Sequence, residues 1–301
     1  MKSVAVLGTG LLGEAIAQRC LSQGSTVHAW NRTRERIQPL LALGAREIGD
    51  LSEVSTTCDT VITVLRDGPV TANVVAELGA LHNITVIPMG TMGVSESKAL
   101  ATQVLRQNGS YLEAPVLGSK PQALSGSLLV MAGGDADVFE QQLGLLKHLS
   151  QQPKLVGPVG SGAATKIALN QLIASLTHSF SLSLRLIQHA GVPVETFMEI
   201  LRPSALYAPT FDKKLERMLG GHYDDPNFST ALLRKDLELF LQETSEAGVQ
   251  DLGLQGLAEL LHKANGTPLD HQDYCALHEL TQQRPKPNHR RKQTTTLHEV
   301  F

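Results

Sequence analysis

Cysteine is scarce: Cys20, Cys58 and Cys275 are the three in 301 residues, far apart and with no CxxC pair. That spacing excludes a disulfide framework and gives no zinc-binding pattern. Charge of one sign is lacking too, with 26 Lys and Arg against 29 Asp and Glu, a formal net charge of −3. No global field draws such a chain to nucleic acid or to an anionic membrane, so neither is expected as a partner. Long apolar runs are absent, all of them well short of the ~18 residues that a membrane span needs. The start, MKSVAVLGTG, carries too brief an apolar stretch for a secretory signal. A reducing cytoplasm is the compartment these absences lead one to expect. What is present is ordinary globular composition, 42% apolar with 26 glycines. At ~150 residues per domain, the length implies two domains.

The first half alternates short β-branched runs with helical patterns. Strands are predicted at residues 3–7, 26–30, 60–65, 85–88 and 127–132, and helices at 12–23, 34–43 and 99–108. This alternation predicts an α/β fold, a doubly wound parallel sheet with helices on both faces. Beyond the glycine-rich stretch Gly157–Gly162 the pattern turns helical as far as Gln283. Residues 163–189 read as one helix roughly 40 Å long. Gly191 and Pro193 follow it as stop signals. Its apolar residues, Leu172, Leu182 and Leu186 among them, spread around the whole circumference, which predicts burial on all sides. The last residues, 284–301, carry two prolines and several lysines and arginines with little apolar content, as in a disordered basic tail.

Two groups of residues point to chemistry. Gly8-Thr9-Gly10-Leu11-Leu12-Gly13 fits G-x-G-x-x-G between a predicted strand and a predicted helix, the setting of a dinucleotide site. Gly8 permits the tight turn, Gly10 lets the backbone approach a pyrophosphate, and Gly13 lets helix and strand pack closely. At the end of the second strand, where an NAD site carries an acid, stand Asn31-Arg32-Thr33. Asn31 does not repel a 2′-phosphate, while Arg32 and Thr33 offer it donors, so NADP(H) is expected over NAD(H). On the long helix, Lys166 and Asn170 stand four residues apart and share a face. A lysine among apolar neighbours is costly unless it has a partner or a task.

Four segments in order carry a resemblance. They are the glycine loop, Glu113-Ala114-Pro115-Val116-Leu117-Gly118-Ser119, the Gly160-to-Asn170 run GSGAATKIALN, and Lys235-Asp236-Leu237. Together they make the chain similar to the β-hydroxyacid dehydrogenase family, which includes 3-hydroxyisobutyrate dehydrogenases and glyoxylate/succinic semialdehyde reductases. The resemblance implies an N-terminal Rossmann domain over residues 1–160, binding NADP. It also implies an all-helical C-terminal domain over 161–283 for substrate and dimerisation, joined by the long helix. A homodimer or homotetramer follows from the same resemblance, with no metal.

Carried over by position, Lys166 is implied as the catalytic acid, with Asn170 bonding the substrate. Gly118 and Ser119 would bind a carboxylate, Phe228 would pack by the substrate, and Asp236 would lie in the substrate cleft. Thr91 would touch the nicotinamide ribose region, Leu65 would line the cofactor cleft, and Lys235 would close over the cofactor. Imine-reducing relatives typically replace the lysine, so Lys166 argues for carbonyl chemistry. Leu117 departs from the family's serine, and Ser119 takes the place of its second glycine. The E-A-P-V-x-G-S-K form is nearer to the glyoxylate/succinic semialdehyde reductases. The expected function is NADPH-dependent reduction of small aldehyde acids. The alternatives are a 3-hydroxyisobutyrate-type dehydrogenase acting oxidatively and a non-catalytic NADP-binding scaffold.

Overall fold

The structure, a computed structural model, describes residues 3–282. The expected basic tail, 284–301, lies outside the described residues.

Among the described residues, nine strands form a mixed sheet: β1 (Ser3–Leu7), β2 (Thr26–Trp30), β3 (Arg46–Glu47), β4 (Thr60–Thr63), β5 (Thr85–Pro88), β6 (Ser110–Glu113), β7 (Val116–Leu117), β8 (Leu129–Gly134) and β9 (Lys154–Gly157). Their order is β3-β2-β1-β4-β5-β6-β8-β7, with β9 paired to β8. From β3 to β6 every pairing is parallel. The sheet departs from the wholly parallel expectation at its far end, where β8 runs antiparallel to β6 and β7. Between β6 and β8 the chain has only β7 and one short helix, too little for the full crossover that a parallel return requires.

The first-half helices are α1 (Leu11–Ser22), α2 (Gln38–Ala42), α3 (Val54–Thr57), α4 (Gly68–Ala76), α5 (Val94–Arg106), α6 (Lys120–Ser125) and α7 (Ala136–Leu149). Val4 and Val6 of β1 pack into one apolar cluster with Ile16 and Leu146, while Ala5 and Leu7 pack into another with Val75 and Val104. Alternate residues of one strand thus feed two cores, as they must in a sheet covered on both faces. Helix α5 begins five residues before its expected start. There the Glu96 side chain accepts a 2.8 Å hydrogen bond from the Gly93 amide and caps the first turn. The expected strand over 60–65 stops at Thr63, leaving Val64 and Leu65 to line a cavity.

The second half is helical: α8 (Ser161–His189), α9 (Val194–Leu201), α10 (Pro209–Gly220), α11 (Thr230–Glu246), α12 (Leu252–His262) and α13 (Leu277–Leu280). It has its own core, which includes Leu184, Leu233, Leu237 and Leu261. Phe180 stacks on Phe211 with ring centroids 4.4 Å apart. The expectation that α8 is buried all round is corrected. Leu172, Leu182 and Leu186 are 50%, 48% and 68% exposed, because the single chain packs only part of the helix's circumference. No helix among the described residues is long and apolar enough to cross a membrane.

A buried ion pair ties this half together. Lys214 Nζ stands 2.8 and 2.7 Å from the two oxygens of Asp273 and 4.5 Å over the Tyr274 ring. Lys214→Ala would strand a buried carboxylate, and the expected cost is about 3–5 kcal/mol. Urea unfolding should register this as a lower midpoint with an unchanged slope; an unchanged midpoint would contradict it.

Candidate active site

A cavity of about 1030 Å³ lies where the C-terminal ends of the strands meet the helical half. Gly10–Gly13, Leu65, Thr91, Gly118 and Ser119 form one wall, and Lys166, Asn170, Phe228 and Lys235 form the other.

The glycine loop shows why its spacing matters. Gly8 has φ +96°, and a Cβ there would lie 2.4 Å from the Val64 carbonyl oxygen. A Cβ on Gly13 would lie 1.9 Å from the oxygen of Gly8. Gly10, by contrast, meets nothing within 4 Å and faces the cavity. Helix α1 has no side-chain cap, so its first amides remain available to an anion. This open cradle fits a dinucleotide pyrophosphate. Gly13→Ala is expected to weaken NADPH binding by about tenfold or more and to lower Tm, because backbone would have to yield. Cofactor titration by nicotinamide fluorescence and a melting curve would check both.

Asn31 has a structural task. Its Oδ1 accepts from the Thr9 amide at 3.1 Å and its Nδ2 donates to the Thr33 carbonyl at 3.0 Å. Thr9 Oγ1 in turn donates to the Arg36 carbonyl at 3.3 Å. Thr9 and Asn31 therefore brace the cradle from behind, and none of Gly8, Thr9, Asn31, Arg32 and Thr33 lines the cavity. Arg32 and Thr33 are exposed. Arg36 does line the cavity, whereas Arg34 is held by Glu47 at 2.6 and 2.8 Å. Sequence reasoning missed Arg36, because the 3-10 turn over Arg34–Ile37 that aims it has no fixed motif.

At the other end, Lys166 Nζ makes no hydrogen bond among the described residues. Burial pushes its pKa from 10.5 down to about 8; the charge of Asp236 opposes that shift and the charge of Lys235 adds to it. Asn170 Nδ2 donates to Asp236 Oδ2 at 2.5 Å, while its buried Oδ1 has no partner among the described residues. Such an orphaned acceptor is costly unless a ligand supplies a hydrogen. Asp236 is 1% exposed and supports Asn170 from behind, without lining the cavity. Lys235 Nζ lies 2.8 Å from Asp236 Oδ1 and reaches across to donate to the carbonyls of Arg66 and Thr91 at 3.1 and 3.0 Å. One side chain of α11 thus bridges to the loops that follow β4 and β5.

Ser119 is engaged in a way the sequence did not foretell. Its amide and hydroxyl both donate to Gln122 Oε1, at 3.0 and 2.8 Å, capping α6. An anion bound by Ser119 has to displace that side chain. Phe228 packs at a tilt against Tyr274, ring centroids 5.9 Å apart. Arg36, Arg66, Lys120, Lys213 and Lys235 join Lys166 on the cavity wall, where Asp273, already paired to Lys214, is the one acid among the described residues. Among those residues no group of three His, Cys, Asp or Glu stands together as a metal site.

A nucleotide cradle opening onto the same cationic cavity as an unpaired lysine is the arrangement of an NAD(P)-dependent oxidoreductase. Residues 3–160 match the NAD binding domain of 6-phosphogluconate dehydrogenase, and residues 160–281 match the NAD-binding domain of NADP-dependent 3-hydroxyisobutyrate dehydrogenase. The chain belongs to the β-hydroxyacid dehydrogenase family, NAD(P)-dependent enzymes acting on CH–OH groups. It is 30% identical to the chloroplastic glyoxylate/succinic semialdehyde reductase 2 of Arabidopsis thaliana, over 91% of this chain and 78% of that one. It is also 30% identical to the Arabidopsis reductase 1, over 91% and 96% of the two chains. Among solved structures, the 3-hydroxyisobutyrate dehydrogenase of Mycobacterium tuberculosis superposes with a TM-score of 0.83 at 20% identity, covering 93% of this chain and 98% of that one.

Proposed function

We propose that the protein is an NADPH-dependent reductase of small aldehyde acids, with glyoxylate and succinic semialdehyde as the substrates to try first. The observation that carries this reading is the cavity wall, where cationic side chains outnumber the single acid, Asp273, and where Lys166 has no hydrogen-bond partner among the described residues and a pKa of about 8. Its charge suits both a phosphorylated cofactor and a carboxylate substrate. The likeness to the two Arabidopsis reductases supports the choice of substrates.

NADPH, when bound, supplies a hydride to the carbonyl carbon. The open amides of the Gly10–Gly13 loop would hold the pyrophosphate, and Arg36, with Arg32 nearby in sequence, would hold the 2′-phosphate. Lys166 Nζ donates a proton to the carbonyl oxygen as it becomes an alkoxide. Asn170 Oδ1, the orphaned acceptor, orients a hydrogen on that oxygen or on Lys166. The Gly118-Ser119 turn takes the carboxylate once Gln122 moves aside, and Phe228 covers the substrate. Lys235 keeps the loops after β4 and β5 drawn over the site.

The test is NADPH oxidation by the purified protein with each aldehyde acid, NADH in parallel. Turnover is expected with NADPH, at a kcat/KM well above that with NADH. Equal values for the two cofactors would defeat the phosphate reading. Arg36→Ala should lower the preference for NADPH by roughly tenfold, the scale of one charge-assisted phosphate contact.

A further inference from the structure

Glu113 ends β6 inside the E-A-P-V segment, yet it does not face the cavity. It is 2% exposed. Its Oε1 accepts from the amides of Gly160, Gly162 and Ala163 at 2.8, 2.6 and 3.3 Å. Its Oε2 accepts from Ser97 Oγ, which lies 2.7 Å from the Tyr111 hydroxyl. With the Ser97 proton given to the carboxylate, Tyr111 is the donor to Ser97. No lysine or arginine among the described residues forms an ion pair with Glu113. The start of α8 has no capping side chain of its own, so a residue 47 positions away in sequence serves it.

The fit leaves no slack. A Cβ on Gly133 would lie 2.2 Å from Glu113 Oε1, and one on Gly162 would lie 2.5 Å from the Met131 carbonyl oxygen. Strand β8, the first turn of α8 and the carboxylate are pressed together at van der Waals limits.

This contact bears on the site through helical periodicity. Gly162, Lys166 and Asn170 follow one another at four-residue steps and share a face of α8. Glu113 holds the amide of the first, and Asp236 holds the side chain of the third. Lys166 stands between these two fixed points. The stretch that carries Glu113 also continues through β7 to Gly118 and Ser119.

We propose that Glu113 is a positioning residue: by holding the first amides of α8 to the end of β6, it sets where Lys166 stands relative to the cofactor cradle and the Gly118-Ser119 turn. The proposal rests on the reading of Lys166 as the proton donor. A carboxylate in a dehydrogenase motif otherwise invites a role in binding substrate, and its burial against Gly133 and the first turn of α8 keeps it off the cavity wall.

The test is Glu113→Gln, which keeps the shape and removes the charge, with Ser97→Ala, which removes only the hydroxyl donor, and Lys166→Ala beside them. At temperatures well below each Tm, Glu113→Gln is expected to lower kcat by about tenfold or more, since small displacements of a catalytic group are costly. The Kd for NADPH, read by fluorescence, should stay within about twofold, as the cradle is untouched. Amides of the first turn of α8 should exchange hydrogen faster. The isotope effect on kcat with NADPH deuterated at the transferred position should rise, because hydride and proton transfer become more nearly rate-limiting. Ser97→Ala should show the same pattern at smaller size, and it decides the matter if Glu113→Gln does not fold. Faster exchange with unchanged kcat and isotope effect, while Lys166→Ala is inactive, would reduce Glu113 to a stabilising cap and overturn the proposal alone. Full activity in Lys166→Ala would overturn the lysine reading and this proposal with it.

Discussion

Lys166→Ala is expected to lower kcat for aldehyde-acid reduction by about 10²–10⁴-fold, the range a positioned general acid contributes. The Kd for NADPH should stay within about twofold, because the cradle at Gly10–Gly13 belongs to the opposite wall. The pH profile gives a second readout. A lysine donates only while protonated, and burial sets its pKa at about 8. Reduction by the wild-type protein should therefore hold level below that pH and decline as pH rises through it. Oxidation of the corresponding alcohol needs the neutral amine and should rise through the same point. Lys166→Ala should lose this limb in both directions. A variant that kept the limb, at reduced height, would assign it to another group.

The second large effect is expected from Asp236→Asn. Asp236 opposes the two influences that depress Lys166, burial and the charge of Lys235. Without its charge the lysine pKa should fall below about 8, and the declining limb of reduction should move to lower pH by roughly one unit, as loss of one nearby charge does. The same change alters the 2.5 Å contact that orients Asn170. Measured at pH 8, kcat/KM should fall by about tenfold to a hundredfold, and it should recover partly on acidification. An unmoved limb would show that Asp236 acts on Asn170 alone.

Much of this was legible in the sequence, for identifiable reasons. Central parallel strands are buried on both faces and read as Val and Ile runs, so β1, β4 and β5 stood out. The glycine loop is constrained by a turn, by Gly13, where a Cβ would lie 1.9 Å from the Gly8 oxygen, and by an open face at Gly10, and such constraints fix residue type at fixed spacing. The antiparallel edge was not legible, because β7 is two residues long and carries no periodicity. Arg36 was hidden because a 3-10 turn brings it to the cavity and leaves Arg32 outside. Glu113 was read with its neighbours as part of a substrate segment. Adjacency in the chain does not say which way a side chain leaves a strand end, and this one leaves inward.

In the proposed reaction, the orphaned oxygen of Asn170 would grade whatever enters the cavity by the hydrogens it brings. An aldehyde arrives with none at its oxygen; the alcohol made from it carries one. On the proposed reading the site would therefore grip the reduced molecule more firmly than the aldehyde, and inhibition by high concentrations of the hydroxy-acid product is the expected result.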